Sequence, residues 1–243
     1  MAGARTRARE GTERTRALLL KRVEFGESDL VLALFTERYG RISALARGAR
    51  KSARRFGGAL EPMHTIEVAL EERVKSELFS LKEANIDVPR IGLTASLERL
   101  EAAGVVLSWV RRAAPARTPE PELWELLNAL LDRLAARVEL DVPRLLAAAG
   151  LRLIAVIGWG LDFERCVRCG KECPPGMPGL IDATHGGLVC RSCGGARRRL
   201  AGPLRERLAL SARDGDPAAL EPDDAKIALD LVEQVLRAHA GFE

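Results

Sequence analysis

The sequence predicts an α+β chain of several domains: a small closed β-barrel at the N-terminus, then an α-helical domain into which a four-cysteine zinc ribbon is inserted. Three observations predict it. Short segments with alternating hydrophobicity fill residues 17–88. From Leu93 onward the apolar period becomes that of a helix. Two Cys-x-x-Cys pairs, twenty residues apart, fall inside the helical half.

The 243 residues suffice for one large or two modest domains, and 47% hydrophobic content can fill a packed core. No apolar run approaches the ~18 residues that would suggest a membrane span. The N-terminus is Arg-rich but lacks the apolar stretch of a secretory signal, and Glu10 and Glu13 argue against a transit peptide. Five cysteines, four of them in metal-binding spacing, suit a reducing cytoplasm. The net charge of +4 is unevenly spread. Residues 1–16 hold +3, residues 41–58 hold +6 and residues 165–199 hold +5, which leaves −10 for the rest. Basic segments on an acidic body point to a directed polyanion site.

Residues 1–16 read as a disordered basic tail: a solvated terminus, or an accessory phosphate-binding arm. Five strands follow. Ala17 to Phe25 runs to a turn at Gly26-Glu27-Ser28, and Asp29 to Thr36 returns at hairpin distance. Arg41 to Arg47 is the third strand. His64 to Glu71 alternates cleanly, with Ile66, Val68 and Leu70 on one face, and Glu77 to Ile86 is the fifth. Three adjacent strands and two after a longer connection fit a Greek-key barrel of the OB-fold type. Leucine-rich strands can be misread helices, so the assignment rests on the pattern as a whole.

The connection from Gly48 to Gly58 carries Arg50, Lys51, Arg54 and Arg55, with Arg47 just before it and no acid. Guanidinium groups match phosphate oxygens in fork geometry. Phe56 offers one ring on which a base could stack. A solvated loop is the bland alternative, and the acid-free run of charge favours nucleic acid over it. The other aromatics of this region, Phe25, Phe35, Tyr39 and Phe79, read mostly as core.

Pro89 marks a boundary, and residues 93–162 read as the first part of the helical domain. Thr94 to Arg112 places Leu97, Leu100, Leu107 and Val110 on one stripe. A Pro-rich linker follows, and Thr118 with Pro119 is expected to open a second helix to about Val138. Asp141 and Pro143 start a third, which ends near Gly158. After the ribbon, residues 201–243 hold helices from Pro203 to Ser211 and from Asp223 to Ala240, the latter capped by Asp223. Trp109, Trp124 and Trp159 read as bundle core.

Residues 163–200 are the ribbon. Cys166-x-x-Cys169 and Cys190-x-x-Cys193 can each offer two sulfurs from one tight turn, which together supply the corners of a tetrahedron. Gly170 and Gly194 follow each pair, where the chain must turn back under a metal with φ > 0. Four free cysteines are the alternative. Residues Leu180 to Val189 form a short hairpin turning at Gly186-Gly187. Four thiolates leave a zinc ion no open position, so one structural Zn²⁺ is expected and no catalytic residue. Cys173 is a spare thiol or a competing ligand, and His185 lies where it could replace a cysteine. Arg197, Arg198 and Arg199 are a secondary candidate for nucleic-acid contacts.

These residues resemble the RecO family of bacterial recombination mediators. The likeness is carried by Leu19-Leu-Lys-Arg-Val-Glu-Phe-Gly-Glu-Ser-Asp29, by Leu34-Phe-Thr36 and by Gly40-Arg-Ile-Ser-Ala-Leu-Ala-Arg-Gly-Ala-Arg-Lys-Ser52. It continues through Phe56 to Pro62 and closes at Gly186-Gly-Leu-Val-Cys190-x-x-Cys193. It covers about residues 17 to 240; the helical part matches by architecture alone, and residues 1–16 are an extension. The resemblance implies an OB-fold, a helical domain and a four-cysteine zinc module. It implies binding to single- and double-stranded DNA and annealing of complementary strands. It also implies partnership with RecR, contact with the C-terminal tail of single-strand binding protein, indirect action on RecA, and a cytoplasmic, nucleoid-associated setting. Cys166, Cys169, Cys190 and Cys193 match the zinc ligands, and Arg47, Arg50, Lys51, Arg54 and Arg55 match the segment at the DNA face.

Annealing needs no nucleophile; it needs a surface that neutralises two backbones and leaves bases free. No Gly-x-x-x-x-Gly-Lys-Ser/Thr segment is present, so ATP hydrolysis is not expected. Two alternatives stand beside this reading. One is a zinc-dependent nucleic-acid-modifying enzyme, which would need a His-x-Glu that none of His64, His185 and His239 supplies. The other is a generic OB-plus-ribbon RNA-binding module.

Overall fold

The computed structural model of the chain describes residues 11–73, 76–136 and 138–240. These divide into two compact units: residues up to Ile91 with Ala114–Trp124, and Gly92–Ala113 with Glu125 onward.

The first unit is a closed five-stranded barrel of β1 (Glu13–Phe25), β2 (Asp29–Thr36), β3 (Gly40–Ala46), β4 (Thr65–Glu71) and β5 (Phe79–Val88). Its strand order is β1-β2-β3-β5-β4, with β4 returning to β1. All pairs are antiparallel except β3 with β5, which is the Greek-key closure expected of an OB-like barrel. β1 is long enough to serve two neighbours. Its first half pairs with β4 and its second half with β2, and the register slips between Leu19 and Lys21. A bulge there bends the strand and lets the sheet close. Alternation then sends Leu30, Leu32, Leu34, Ile42, Ala44, Ile66, Val68, Leu70 and Leu81 into one buried cluster.

The strand begins four residues earlier than the sequence suggested. Glu13 to Arg16 is ordered β-structure and not tail, because its backbone pairs with Glu67 to Leu70. Its cations are also engaged: Arg14 bonds Glu67 and Glu83, and Arg16 bonds Glu37. The remainder of the expected tail, residues 1–10, lies outside the described residues.

The Pro-rich segment after residue 113 is not a free linker. Ala116 bridges Arg41 at the start of β3, Arg41 Nε donates to Ala114 O at 2.8 Å, and Arg117 N donates to Arg41 O at 2.9 Å. Gly40 is required at this approach. A Cβ there would lie 1.8 Å from Thr118 O, and its φ of +62° is left-handed. Thr118 is therefore held against the barrel and does not cap a helix. The next helix starts at Pro121 instead. Trp124 follows this segment: its ring lies 5.9 Å from that of Phe35, so it packs on the barrel and not in a bundle core.

The second unit is built around one helix. A short four-residue helix α1 (Ala53–Phe56) belongs to the barrel; then come α2 (Leu97–Ala113), α3 (Pro121–Ala135), α4 (Val142–Val156), α5 (Gly202–Asp214) and α6 (Asp224–His239). α4 packs against α2, α5 and α6. It buries Leu145, Ala147, Ala148, Leu151, Leu153 and Ile154 around most of its circumference, as a central helix must. Asp141 caps it by accepting from Arg144 N at 3.0 Å, with Pro143 in the first turn. α6 starts differently from expectation. Asp223 makes no side-chain cap; Asp224 instead turns inward, accepts from Glu221 N at 2.9 Å and pairs with Arg207 at 2.6 Å. Trp109 is buried and donates to Glu233 at 2.5 Å, while Trp159 is half-buried and stacks on His239.

Between α4 and α5 lies a four-stranded sheet: β6 (Asp162–Cys166), β7 (Gly179–Asp182), β8 (Gly187–Val189) and β9 (Arg198–Leu200), in the order β6-β8-β7-β9. No helix among the described residues is long and apolar enough to cross a membrane.

Candidate metal centre and nucleic-acid interface

The pairing of β6 with β8 creates the cysteine cluster. The two strands run parallel, with Cys166 opposite Leu188, so both knuckles leave the sheet side by side. Each knuckle closes with the same backbone bond: Gly170 N to Cys166 O at 2.8 Å, and Gly194 N to Cys190 O at 3.1 Å. Both glycines have left-handed φ, +73° and +65°, as the turn requires. The ligand atoms of Cys166, Cys169, Cys190 and Cys193 lie within 4.8 Å of one another. None of the four is in a disulfide.

The donor set fits a tetrahedral metal ion. Four sulfurs at ~2.3 Å from a zinc ion would stand ~3.8 Å apart, and Cys169 Sγ lies 3.7 Å from Cys190 Sγ. The Ser192 hydroxyl at 3.2 Å and the Cys193 backbone push Cys190 down to about 6. Hydrogen bonds to Cys190 and Cys169 push Cys193 up to about 12. Cys190 N–H, donating to Cys166 Sγ at 3.3 Å, holds Cys166 below its usual range. Four crowded thiols cannot all ionise unaided, whereas a divalent cation lets each remain a thiolate.

Two candidates drop out of the centre. Cys173 is not in the cluster; its Sγ faces Met177 O at 3.8 Å. His185 is bonded through Nδ1 to Asp182 Oδ2 at 2.8 Å. One residue that the sequence did not single out matters here. Arg205 on α5 is buried, and its guanidinium donates to carbonyls on three separate parts of the ribbon: Phe163, Pro174 at 2.6 Å and Met177 at 3.2 Å. An arginine in a run of polar helix residues carries no sequence mark of such a role.

The basic segment is folded onto the barrel and is not a free loop. Gly48 N donates to Asp29 Oδ1 at 2.8 Å, and Arg50 N donates to Ser28 O at 3.0 Å. Its cations then differ. Arg47, Lys51 and Arg54 are exposed and have no ion-pair partner among the described residues. Arg50 pairs with Glu24 at 3.1 Å. Arg55 lies over the Phe56 ring and donates to Ser52 Oγ and to Arg47 O at 2.7 Å, so its charge stays uncompensated. Arg41, counted with this segment by charge, is held by Ala114 O. Phe56 does not offer a stacking face. It ends α1 and is 3% exposed within the barrel core, because the four-residue helix turns its one large apolar side chain inward. Of the secondary candidates, Arg198 pairs with Asp230 at 3.6 Å, while Arg197 and Arg199 are exposed.

Fold and site together define a two-unit protein: an OB-like barrel with an exposed basic segment, and a helical unit that carries a four-cysteine centre. Comparison with known proteins makes this specific. The family model for the recombination protein O N-terminal region matches residues 11–88, and the model for its C-terminal region matches residues 95–242. The chain belongs to the RecO family. A relative from Anaeromyxobacter sp. (strain K), named DNA repair protein RecO, is 37% identical over 235 residues, which is 92% of this chain and 90% of the relative. Proteins of the same name from Pelobacter propionicus and Myxococcus xanthus are each 34% identical, covering 94% and 93% of this chain and 92% and 91% of their own length.

Proposed function

We propose that this protein is a DNA repair and recombination mediator that acts by binding and not by catalysis. It binds single- and double-stranded DNA, anneals complementary strands, and works with RecR to load RecA on DNA coated with single-strand binding protein, whose C-terminal tail it contacts. The observation that carries the reading is the basic segment, fixed on the barrel with Arg47, Lys51 and Arg54 uncompensated. Such charges release counterions from a phosphate backbone and give affinity without sequence preference.

The cysteine centre supports a structural role. Cys166, Cys169, Cys190 and Cys193 would hold one Zn²⁺ and supply all four positions, so no water would be activated on it. Arg197 and Arg199, exposed at the end of the ribbon, are a secondary candidate for phosphate contacts within the helical unit. The domain limits that follow are the barrel, the two helical parts and the ribbon between them, in a protein of the nucleoid.

The test is the salt dependence of DNA binding. The double variant Lys51→Ala, Arg54→Ala should lower the slope of log K against log salt by about one unit per lost phosphate contact. An unchanged slope overturns the proposed interface. Annealing of strands coated with single-strand binding protein should fall in parallel.

A further inference from the structure

The basic segment supplies charge but no ring, since Phe56 is buried. A different aromatic stands at its edge. Phe25 ends β1 and is 57% exposed, next to Val23 at 49%. Residues 21, 23 and 25 share one face of the strand, opposite to the barrel interior. Across the β1–β2 ladder Val23 pairs with Val31 and Phe25 pairs with Asp29. The outer face therefore presents an apolar strip that ends in a ring, with exposed Lys21 at its other end.

The strip is tied to the cations. Ser28, three residues beyond Phe25, accepts from Arg50 N at 3.0 Å. Asp29, the ladder partner of Phe25, accepts from Gly48 N at 2.8 Å. Glu24 pairs with Arg50. Three bonds thus hold the β1–β2 turn against the segment that carries Lys51 and Arg54. Of the acids nearby Glu24 is paired with Arg50; Asp29 and Glu27 add two negative charges against the four cations Arg47, Lys51, Arg54 and Arg55, none of which is in an ion pair among the described residues. In barrels of this topology the β1–β2 loop and the outer face of β2–β3 are where oligonucleotides lie.

We propose that Phe25 is a base-stacking platform. An unpaired nucleobase stacks on its ring while Lys51 and Arg54 hold the phosphates on either side. A paired base has both faces covered by its neighbours, so the ring contributes to single-stranded DNA and not to duplex. Phe25 thereby sets the preference of the surface for unpaired strands and keeps a base turned outward, ready to meet a complementary strand.

This inference rests on the proposed DNA-binding function, and the experiment separates the two. Affinities for a single strand and for a duplex of equal length are measured at one salt concentration by fluorescence anisotropy. Phe25→Ala should weaken single-strand binding by about 5- to 100-fold and leave duplex binding unchanged. Phe25→Trp should restore it, with its emission quenched as the strand is added. Phe25→Leu, which keeps apolar area without a ring, should not restore it. The proposal is overturned if Phe25→Ala leaves single-strand affinity intact, if it weakens both substrates equally, or if Phe25→Leu restores binding. In each of these outcomes Lys51→Ala, Arg54→Ala still lowers the salt slope. If that variant also changes nothing, the DNA-binding reading itself fails.

Discussion

The barrel and the cysteine ribbon are both made of short strands, and they are held together by different means. The barrel closes on itself and buries an aliphatic cluster drawn from all five strands. The ribbon's strands are three to five residues long and bury only a few apolar side chains, among them Phe163, Ile181, Leu188 and Leu200. So little hydrocarbon does not hold strands of that length in register. The ribbon instead uses four converging thiols and the buried Arg205 guanidinium. Where hydrophobic area is scarce, directional bonds take over. Damage should therefore be confined to whichever unit uses the group that is removed.

The largest effect should come from the thiols. Chelation of the proposed zinc ion, or Cys190→Ser, should remove a contribution on the order of 10 kcal/mol and expose residues 162–200 to rapid amide exchange. The barrel amides should stay protected. Persistent protection of the ribbon without the metal would break the contrast. The reciprocal change is Leu34→Ala in the barrel core, where the side chain is fully buried. It should cost about 2–5 kcal/mol, seen as a lower denaturation midpoint of the barrel, with metal content unchanged.

The smallest effect is in the helical part, where Asp224→Asn should cost about 1–3 kcal/mol. Burial alone would raise the Asp224 carboxyl, but Arg207 and the Glu221 N–H outweigh it and leave the carboxyl below its ordinary value. The sign follows. A lowered folded-state value stabilises above the unfolded value of ~3.9, and that stability is lost as pH falls through the folded value. The gap between wild type and variant should be constant from neutral pH to about 4 and close below it. A gap that widened under acid would show that Asp224 is not the anion that Arg207 holds.

The parts of the candidate site differed in how far they could be read in advance. The cysteine pairs were legible because each grouping is local: a Cys-x-x-Cys-Gly turn brings two sulfurs together through its own backbone bond. The cationic segment was legible as charge. Which cations remain free was not, because Arg50 is neutralised by Glu24 and Arg41 is taken by Ala114 O, both through contacts distant in sequence. The two phenylalanines show the limit most clearly. Phe56, within the basic run, promised a stacking ring and is core, while Phe25, read among the core aromatics, is exposed. Nothing in the local sequence distinguishes them. Phe56 faces inward because α1 packs on the barrel, and Phe25 faces outward because the bulge between Leu19 and Lys21 shifts the alternation of β1.

By itself the sequence determined the features that depend on period and spacing: five strands, a helical half, two Cys-x-x-Cys knuckles with their glycines, and an acid-free basic run. The tertiary structure decided what long-range pairing controls. It drew Glu13 to Arg16 into β1, held residues 114–124 on the barrel, placed Arg205 under the ribbon and selected the cations left open to solvent. The physical reason is range. Hydrophobic period and tight turns are properties of a few neighbouring residues, whereas burial and charge compensation belong to whichever segments the closed barrel and the packed helices bring together.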